Sequence, residues 1–364
     1  MNNEIRELTI STPGRICLFG EHQDYLFLPV IPCAISLRMV IDGKRRNDSV
    51  IHLNLPDILN EITFPMDGIQ KYKLNRDYFR SGFNVLNRKN FSFNGGFDCT
   101  VHGDIPINAG TSSSSALIIS WINFLANMSE QKRNLTPGAL AWFGYEAEVL
   151  EFTEPGGMMD QYAATYGGIT YIDFLPDINV KKIRADLKQF VLGNSCEPKD
   201  TKHILARVKN RILSIASNLV TEHPGFSLLT AQIHEIEEYR SELSKTDYEL
   251  LIGTLRNRDI TSEARTLLCQ IPLNHHRVGE LLTEHQKILR DVLKISTLKI
   301  DRMLDAALNA GAYGGKINGS GGGGCMFAYT PEAPEKVAEA IRCAGGIPYI
   351  VSVDSGSRIE RLVS

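Results

Sequence analysis

The chain of 364 residues lacks the features that mark several classes of protein. Its seven cysteines stand singly, without a Cys-x-x-Cys pair, and no His-Glu-x-x-His motif occurs. We therefore expect neither a disulfide framework nor a zinc site. No apolar run is long enough to cross a bilayer, and residues 1–6 lack the apolar core of a signal peptide. These absences predict a cytoplasmic protein without a membrane partner.

The composition also lacks an excess of charge of one sign. A formal net charge of -3 at pH 7 and an isoelectric point near 6.3 argue against a nucleic acid as partner. The hydrophobic fraction of 43% and the charged fraction of 22% are ordinary for a globular protein. The sequence does not indicate an oligomeric state.

The pattern of secondary structure changes near residue 190. Strands alternate with a few helices before this point, and long amphipathic helices dominate after it. We expect an α+β fold of two domains, residues 1–190 and 191–364, with a cleft at their junction. The predicted helices are 117–126, 136–149, 202–218, 225–243, 247–257 (capped by Thr246), 278–292, 296–310 and 334–343. The predicted strands are 16–19, 30–40, 97–102, 169–172, 325–329 and 349–353.

The most informative segment, residues 103–116, is rich in serine and other small residues. It lies between a predicted strand and an apolar predicted helix, and it lacks the Gly-Lys-Ser/Thr ending of a Walker loop. Such a loop presents backbone N–H groups and hydroxyls at the positive end of a helix, where phosphate binds well. The segment predicts a phosphate site, and a serine-rich helix cap is the alternative.

A second polar cluster follows the apolar strand predicted at residues 16–19. It contains Glu21, His22, Asp24 and Tyr25, which together suit a polyhydroxylated ligand because each accepts or donates hydrogen bonds. The end of a buried strand is also a good place to line a cleft. The alternative is a polar turn with a capping Asp24.

Two further segments combine glycine with residues that carry chemistry. Asp160 follows the pair Gly156-Gly157, and it is either a catalytic base or a first-turn residue that complements a helix dipole. Residues 314–325 include four consecutive glycines, which are costly to order because glycine loses the most backbone entropy on folding. A strand pattern resumes at once after them. This tract therefore predicts a close approach to a ligand or another loop rather than a flexible linker.

The order of these segments resembles that of the GHMP small-molecule kinases, and within them the galactokinase branch. Residues 13–25 match the first family motif, Pro-Gly-Arg followed by an apolar strand and Gly-Glu-His-x-Asp-Tyr. Residues 105–116 correspond to the phosphate loop, 159–161 to a Met-Asp-Gln element and 311–325 to the glycine-rich third motif. An Ala-Glu pair at 147–148 stands at the galactokinase spacing before Asp160. The resemblance covers nearly the whole chain.

The resemblance implies a role for each matching residue. Asp160 is expected to accept or orient the proton of the acceptor hydroxyl, and Arg15 to neutralise charge beside it. Ser114 and Glu148 are expected to hold Mg²⁺ at the β- and γ-phosphates of ATP. The residues expected to bind the ATP phosphates are Gly110, Thr111, Ser112, Ser113, Ser114, Ser115, Gly321 and Gly322. Those expected to bind the sugar are Glu21, His22, Asp24 and Tyr25.

The implied reaction is ATP-dependent phosphorylation of the anomeric (C1) hydroxyl of a sugar. Two departures from galactokinases bear on which sugar: residues 26–29 do not match Asn-Asp-Gly-Phe, and no tyrosine follows Asn194-Ser195 at the usual place. Galactose is the first candidate for the acceptor sugar, and another hexose, an N-acetylhexosamine or a uronic acid comes next. Alternatives are a mevalonate-type kinase, although Arg15 replaces its usual lysine, and a non-catalytic sugar and ATP sensor.

Overall fold

Strands and helices alternate along the computed structural model, which describes residues 5–107, 109–131, 134–199 and 201–364. Asn108 of the predicted phosphate loop lies outside the described residues. The strands are β1 (Glu7–Phe19), β2 (Ile31–Arg45), β3 (Val50–Leu55), β4 (Asn60–Pro65), β5 (Phe97–Gly103), β6 (Ile169–Asp173), β7 (Asn179–Ile183), β8 (Gln189–Asn194), β9 (Gly314–Ile317), β10 (Cys325–Tyr329), β11 (Ile347–Ser352) and β12 (Arg358–Val363). The helices are α1 (Tyr78–Arg88), α2 (Ser113–Met128), α3 (Pro137–Tyr145), α4 (Met159–Tyr166), α5 (Thr201–Glu222), α6 (Lys245–Leu267), α7 (His275–Asp291), α8 (Leu298–Asn309) and α9 (Pro334–Cys343).

The strands form two sheets, in agreement with the α+β prediction. The larger sheet has the order β12-β1-β2-β5-β3-β4, with β6 paired to β2 and β7 paired to β6. The smaller sheet has the order β11-β8-β10-β9. The chain passes from one sheet to the other between β7 and β8, and β12 returns to the larger sheet. The assignment of residues 1–190 and 191–364 to two domains stays a prediction.

Helix α2 is the centre of the core beneath the larger sheet. It is apolar on nearly all sides because it packs against β1 and β2 as well as α1, α3 and α4. Trp121 stacks on Phe124 with ring centroids 5.7 Å apart, and its indole Nε1 donates to the carbonyl of Phe79 at 2.9 Å. The helix N-terminus, where the serine-rich segment lies, is held to β1 by the hydrogen bond from the backbone N–H of Arg15 to the carbonyl of Thr111.

A second core extends from the smaller sheet to β1. Phe190 on β8 packs against Phe327 and Tyr329 on β10, and the same cluster of buried side chains includes Ile16 and Leu18 of β1. The two sheets therefore share apolar contacts at the strand that carries the first polar motif. No helix in the described residues is long and apolar enough to cross a membrane.

Most of the predicted elements are confirmed. The strand at 325–329 and the helix at 334–343 have the predicted bounds, and the helices predicted at 202–218, 278–292 and 296–310 are α5, α7 and α8. The helix predicted at 136–149 is α3, capped by Thr136, followed by a π-helical turn at Glu146–Leu150.

Two predictions about the helical half are wrong. Residues 225–243 form turns and a short 3₁₀ helix, Ile233–Tyr239, which begins at a capping box between Gln232 and Glu235, so a new helix start interrupts the segment. Helix α6 is capped by Ser244 rather than Thr246, since the Ser244 hydroxyl accepts from the backbone N–H of Asp247. This helix also continues to Leu267.

A buried ion pair joins the end of β1 to β9. The Nζ of Lys316 donates to Oε2 of Glu21 at 2.8 Å, and the backbone N–H of Gly319 donates to the same oxygen at 2.9 Å. The Lys316 side chain is 0% exposed and that of Glu21 is 3% exposed. Burial alone would raise the pKa of Glu21, but the charges of Lys316 and Arg15 lower it below its ordinary value. The pair fixes the first motif against the glycine tract.

We expect Lys316→Met to lower the free energy of unfolding by about 3–5 kcal/mol, because it leaves the Glu21 carboxylate buried and unpaired. The double variant Glu21→Gln with Lys316→Met should recover much of that loss. Denaturant titration measures both values, with Lys188→Met, whose side chain is 53% exposed, as the matched control. Equal stability of Lys316→Met and the wild type would contradict a structural role for the pair.

Candidate active site

Arg15, near the middle of β1, brings two other segments together. Its Nε and Nη2 donate to Oδ1 and Oδ2 of Asp160, both at 2.8 Å, and its Nη1 donates to the carbonyl of Gly110 at 2.6 Å. The Ser112 hydroxyl donates to Oδ2 of Asp160 at 2.7 Å. Arg15 is 4% exposed whereas the Asp160 side chain is 29% exposed. The carboxylate is thus held on one side and accessible on the other.

The serine-rich segment ends in an irregular turn that begins α2. Ser112 has a φ of +60°, a left-handed conformation that is uncommon for residues other than glycine. The carbonyl of Thr111 accepts from the backbone N–H of Arg15 at 3.2 Å, which fixes the turn to β1. Helix α2 starts at Ser113, so its first N–H groups lie at the serines. The positive end of the helix dipole is therefore close to Asp160 and Arg15.

His22 is buried and has a φ of +64°. Its Nδ1 lies 2.7 Å from the Tyr25 hydroxyl and its Nε2 lies 3.1 Å from the carbonyl of Ser320. Burial lowers the pKa of His22 to about 4, so the imidazole is neutral at pH 7. Since a carbonyl only accepts, the proton is on Nε2, and Nδ1 accepts from Tyr25. His22 therefore connects the first motif to the glycine tract.

Asp24 lies between the first motif and α4. Its Oδ2 accepts from the backbone N–H of Met159 at 3.1 Å, and its Oδ1 accepts from that of Tyr25 at 2.9 Å. Burial, followed by the nearby charge of Asp160, raises the pKa of Asp24 to about 6. A side chain at Gly157 would place its Cβ 2.1 Å from Oδ2 of Asp24, so only glycine allows this approach.

Glu148 lies in the π-helical turn that follows α3. The turn closes with a hydrogen bond from the backbone N–H of Glu151 to the carbonyl of Glu146 at 3.0 Å. π-Helical turns inside helices occur often at functional sites. Gln161 Nε2 donates to Oε2 of Glu148 at 2.6 Å. Burial raises the pKa of Glu148, and the hydroxyls of Ser114 and Ser115 act in the opposite direction.

One cavity of about 810 Å³ contains most of the predicted site residues. Those that line it are Arg15, Glu21, His22, Asp24, Tyr25, Gly110, Ser112, Ser113, Ser114, Ser115, Glu148 and Asp160. The prediction that these separated residues share one site therefore agrees with the geometry, while their individual roles stay predictions.

Three predicted phosphate-binding residues do not line the cavity. Thr111 is fully buried, and its backbone contact with β1 is described above. A Cβ on Gly321 would lie 2.5 Å from Cβ of Ile295, and a Cβ on Gly322 would lie 2.1 Å from Cδ1 of Ile204. The glycines therefore allow the tract to pack closely on the segments before α8 and in α5.

The cavity also contains charged residues that the sequence analysis missed. Arg76 donates from Nε and Nη2 to the two carboxylate oxygens of Glu154, both at 3.0 Å. Lys199, five residues after β8, lines the same cavity. Neither belongs to a recognisable motif, so only the folded arrangement indicates them.

Family models match three parts of the chain. The model for the GHMP kinases N terminal domain matches residues 77–168, and the model for the GHMP kinases C terminal matches residues 265–347. The galactokinase galactose-binding signature matches residues 2–45, which include β1 and β2. Together the three matches cover more than half of the chain.

Full-length relatives and a solved structure are also similar to this chain. A mevalonate kinase of Pyrococcus furiosus is 27% identical over 368 residues, covering 97% of this chain and 98% of that protein. A galactokinase of the same organism is 25% identical over 362 residues, covering 92% of each. The crystal structure of Lactococcus lactis galactokinase complexed with galactose matches with a TM-score of 0.84 at 22% identity, covering 97% of this chain and 95% of that one. The chain therefore belongs to the GHMP kinases, a family of phosphotransferases that use ATP, and it carries the galactokinase galactose-binding signature.

Proposed function

We propose that this kinase transfers the γ-phosphoryl group of ATP to the anomeric hydroxyl of a sugar, with galactose as the first candidate. The observation that carries the proposal is the Arg15–Asp160 pair, which lies between the serine-rich start of α2 and the polar residues that follow β1. This arrangement puts a carboxylate between a phosphate site and a site suited to hydroxyl groups. Phosphoryl transfer depends mainly on such positioning and on charge stabilisation.

The polar residues of the first motif support a sugar as the acceptor. Asp24 and His22 line the same cavity as Asp160, and the galactose-binding signature covers this motif. The Lactococcus lactis galactokinase that this chain resembles in fold was crystallised with galactose. Glu21 differs from its expected role, because Lys316 and Gly319 already occupy its Oε2. We therefore assign Glu21 to positioning the motif rather than to binding the sugar.

Asp160 is the group that we expect to take the acceptor proton. Arg15 and Ser112 donate three hydrogen bonds to its carboxylate, which fixes its orientation while one side remains accessible. Arg15 also supplies positive charge where negative charge develops during transfer. The first N–H groups of α2 and the hydroxyls of the serine loop provide the contacts for the phosphates of ATP.

The donor set near Glu148 fits Mg²⁺. Glu148 and Ser114 offer hard oxygen ligands at the cavity wall, and Gln161 holds the carboxylate in place. No group of three or more His, Cys, Asp or Glu side chains suited to a metal occurs among the described residues. This agrees with a cation that shares its coordination with phosphates and water, as Mg²⁺ usually does. When bound, Mg²⁺ would neutralise charge on the phosphates.

We expect Asp160→Asn to lower kcat by about 100-fold or more, because the amide cannot accept the acceptor proton. ATP affinity should change little, since asparagine has nearly the same shape and its side-chain oxygen can still accept the hydrogen bond from the Ser112 hydroxyl. Steady-state kinetics and calorimetric ATP binding measure the two quantities. A variant with wild-type turnover would exclude Asp160 as the proton acceptor.

We expect Glu148→Gln to raise the Mg²⁺ concentration needed for half-maximal activity by about 10-fold or more, because a charged ligand is lost. Glu146→Gln is the matched control: Glu146 lies in the same π-helical turn but pairs with Lys89 at the surface. Titration of activity with Mg²⁺ compares them. An identical response of the two variants would contradict a role for Glu148 in metal binding.

A mevalonate-type kinase is the second candidate, because a mevalonate kinase is among the relatives that match over nearly the whole chain. Incubation of the protein with ATP, Mg²⁺ and each of galactose, other hexoses, N-acetylhexosamines, uronic acids and mevalonate tests the two directly. We expect ADP formation with a sugar and phosphate attached at C1, observed by phosphorus NMR. ADP formation with mevalonate but with none of the sugars would reject the proposal of a sugar kinase. Binding of ATP and sugar without any product would instead favour a sensor.

A further inference from the structure

Lys199 is a charged residue of the cavity that the proposed function has not yet used. It lies in the segment 195–199 that follows β8, so it comes from the smaller sheet, whereas Arg15 and Asp160 come from elements of the larger sheet and its helices. Its charge interacts with those of Arg15 and Asp160. The two halves of the molecule thus each contribute a cation to the same part of the site.

The segment that carries Lys199 is fixed at several points. The backbone N–H of Ser195 donates to the carbonyl of Gly324 at 2.8 Å, and the backbone N–H of Gly324 donates to the carbonyl of Glu197 at 3.3 Å. Lys299 Nζ donates to the carbonyl of Ser195 at 2.6 Å, and the Thr297 hydroxyl donates to Oε2 of Glu197 at 2.5 Å. The position of Lys199 is therefore set by the glycine tract and by the start of α8.

Two glycines make room for the Lys199 side chain. A Cβ on Gly324 would lie 2.6 Å from Cδ of Lys199, and a Cβ on Gly110 would lie 2.6 Å from its Nζ. The φ angles of these glycines, +75° and +87°, are also ones that other residues rarely adopt. The side chain thus passes along the glycine tract and ends beside Gly110, in the turn that precedes α2. The carbonyl of Gly110 accepts a hydrogen bond from Arg15.

Lys199 also differs from the other cations of the cavity in its partners. Arg15 is paired with Asp160, and Arg76 is paired with Glu154. Within the described part of the chain, no carboxylate oxygen lies within 4.0 Å of the Lys199 ammonium. A partly buried ammonium without a carboxylate partner is costly unless an anion arrives.

We propose that Lys199 Nζ donates a hydrogen bond to an oxygen of the phosphoryl group while this group passes from ATP to the acceptor. The inference rests on the proposed function. In this step a bond forms between the acceptor oxygen and the γ-phosphorus, and the bond from that phosphorus to the β–γ bridging oxygen breaks. The electron pair of the broken bond leaves with ADP, and the hydroxyl proton goes to Asp160. Lys199 and Arg15 together offset the charge on the transferring group.

The position of Nζ favours the phosphoryl group over a carboxylate of the acceptor. Nζ lies against Gly110 at the start of the serine-rich turn, whereas the acceptor side of the cavity is formed by Asp24 and Gly157. An acceptor with a carboxylate, such as a uronic acid, is the other possible source of an anionic oxygen. The kinetic experiment is designed to separate the two.

The first measurement compares Lys199→Met and Lys199→Arg with the wild type, using a neutral sugar, a uronic acid and mevalonate as acceptors. We expect Lys199→Met to lower kcat about 100-fold or more with every acceptor that the wild-type enzyme phosphorylates, while the KM for that acceptor changes little. Lys199→Arg should retain more activity because it keeps the charge. Lys245→Met, with a side chain 80% exposed, is the matched control, and thermal unfolding verifies that the variants fold.

The pH dependence gives a readout that a packing role would not change. Burial and Arg15 lower the pKa of Lys199 to about 8, while Cys325, Glu21 and Asp160 act to raise it. Because the protonated form donates the hydrogen bond, the wild-type kcat/KM for ATP, which reports the pKa of the free enzyme, should fall as the pH rises through about 8. Lys199→Arg should keep its own maximal kcat/KM to higher pH. An equal decline in both enzymes would contradict the proposal.

Binding of ADP with aluminium fluoride, which imitates a transferring phosphoryl group, tests Lys199 without any acceptor. We expect Lys199→Met to weaken this complex about 10-fold or more while the affinity for ADP alone is unchanged. The proposal would be overturned if Lys199→Met weakened the binding of ADP alone as much as that of ADP with aluminium fluoride. It would also be overturned if neither affinity changed. So would a change limited to the KM of the uronic acid, which would assign Lys199 to an acceptor carboxylate. Absence of turnover with every acceptor would reject the proposed function. The comparison of ADP–aluminium fluoride with ADP alone would still decide whether Lys199 binds the transferring group.

Discussion

The bidentate contact between Arg15 and Asp160 is the interaction on which the rest of the site depends. A charge-assisted pair of this kind is strong and directional, and it costs much to break when one partner is buried. Arg15 has only 4% of its side chain exposed, and its third guanidinium nitrogen, Nη1, donates to the carbonyl of Gly110. The same guanidinium therefore sets the position of α4, which carries Asp160, relative to the turn that begins α2. A change in either contact would move the carboxylate with respect to that turn.

Much of this arrangement could be predicted from local patterns. The strand at 325–329 and the helix at 334–343 were found with their bounds, because apolar periodicity and flanking proline or glycine define such elements well. The residues of the first motif and of the serine-rich segment are also recognisable from the sequence alone. Their juxtaposition followed from resemblance to a family, not from spacing, since 145 positions separate Arg15 from Asp160.

The parts of the site that could not be predicted depend on contacts between distant parts of the chain, which a local sequence pattern does not contain. Glu21 seemed suited to a ligand, yet the structure pairs it with Lys316, 295 positions away, and with Gly319. Lys199 belongs to no motif, and its importance comes from the two glycines beside it and from the partners of the other cations. The predicted helix at 225–243 is wrong for a local reason: Gln232 and Glu235 form a capping box that starts a new, short helix within the segment.

Strand β12 pairs with β1 along the edge of the larger sheet, in the register Glu7 with Val363 to Ser11 with Arg358. All the other strands lie between β1 and β12 in chain order, so β1 has one edge unpaired until β12 has been synthesised and has paired with it. Exposed strand edges can pair with other chains, and contacts between sequence-distant segments form slowly. The nascent protein therefore has an aggregation-prone interval before β12 pairs, and the strand that carries Arg15 is the one left uncovered.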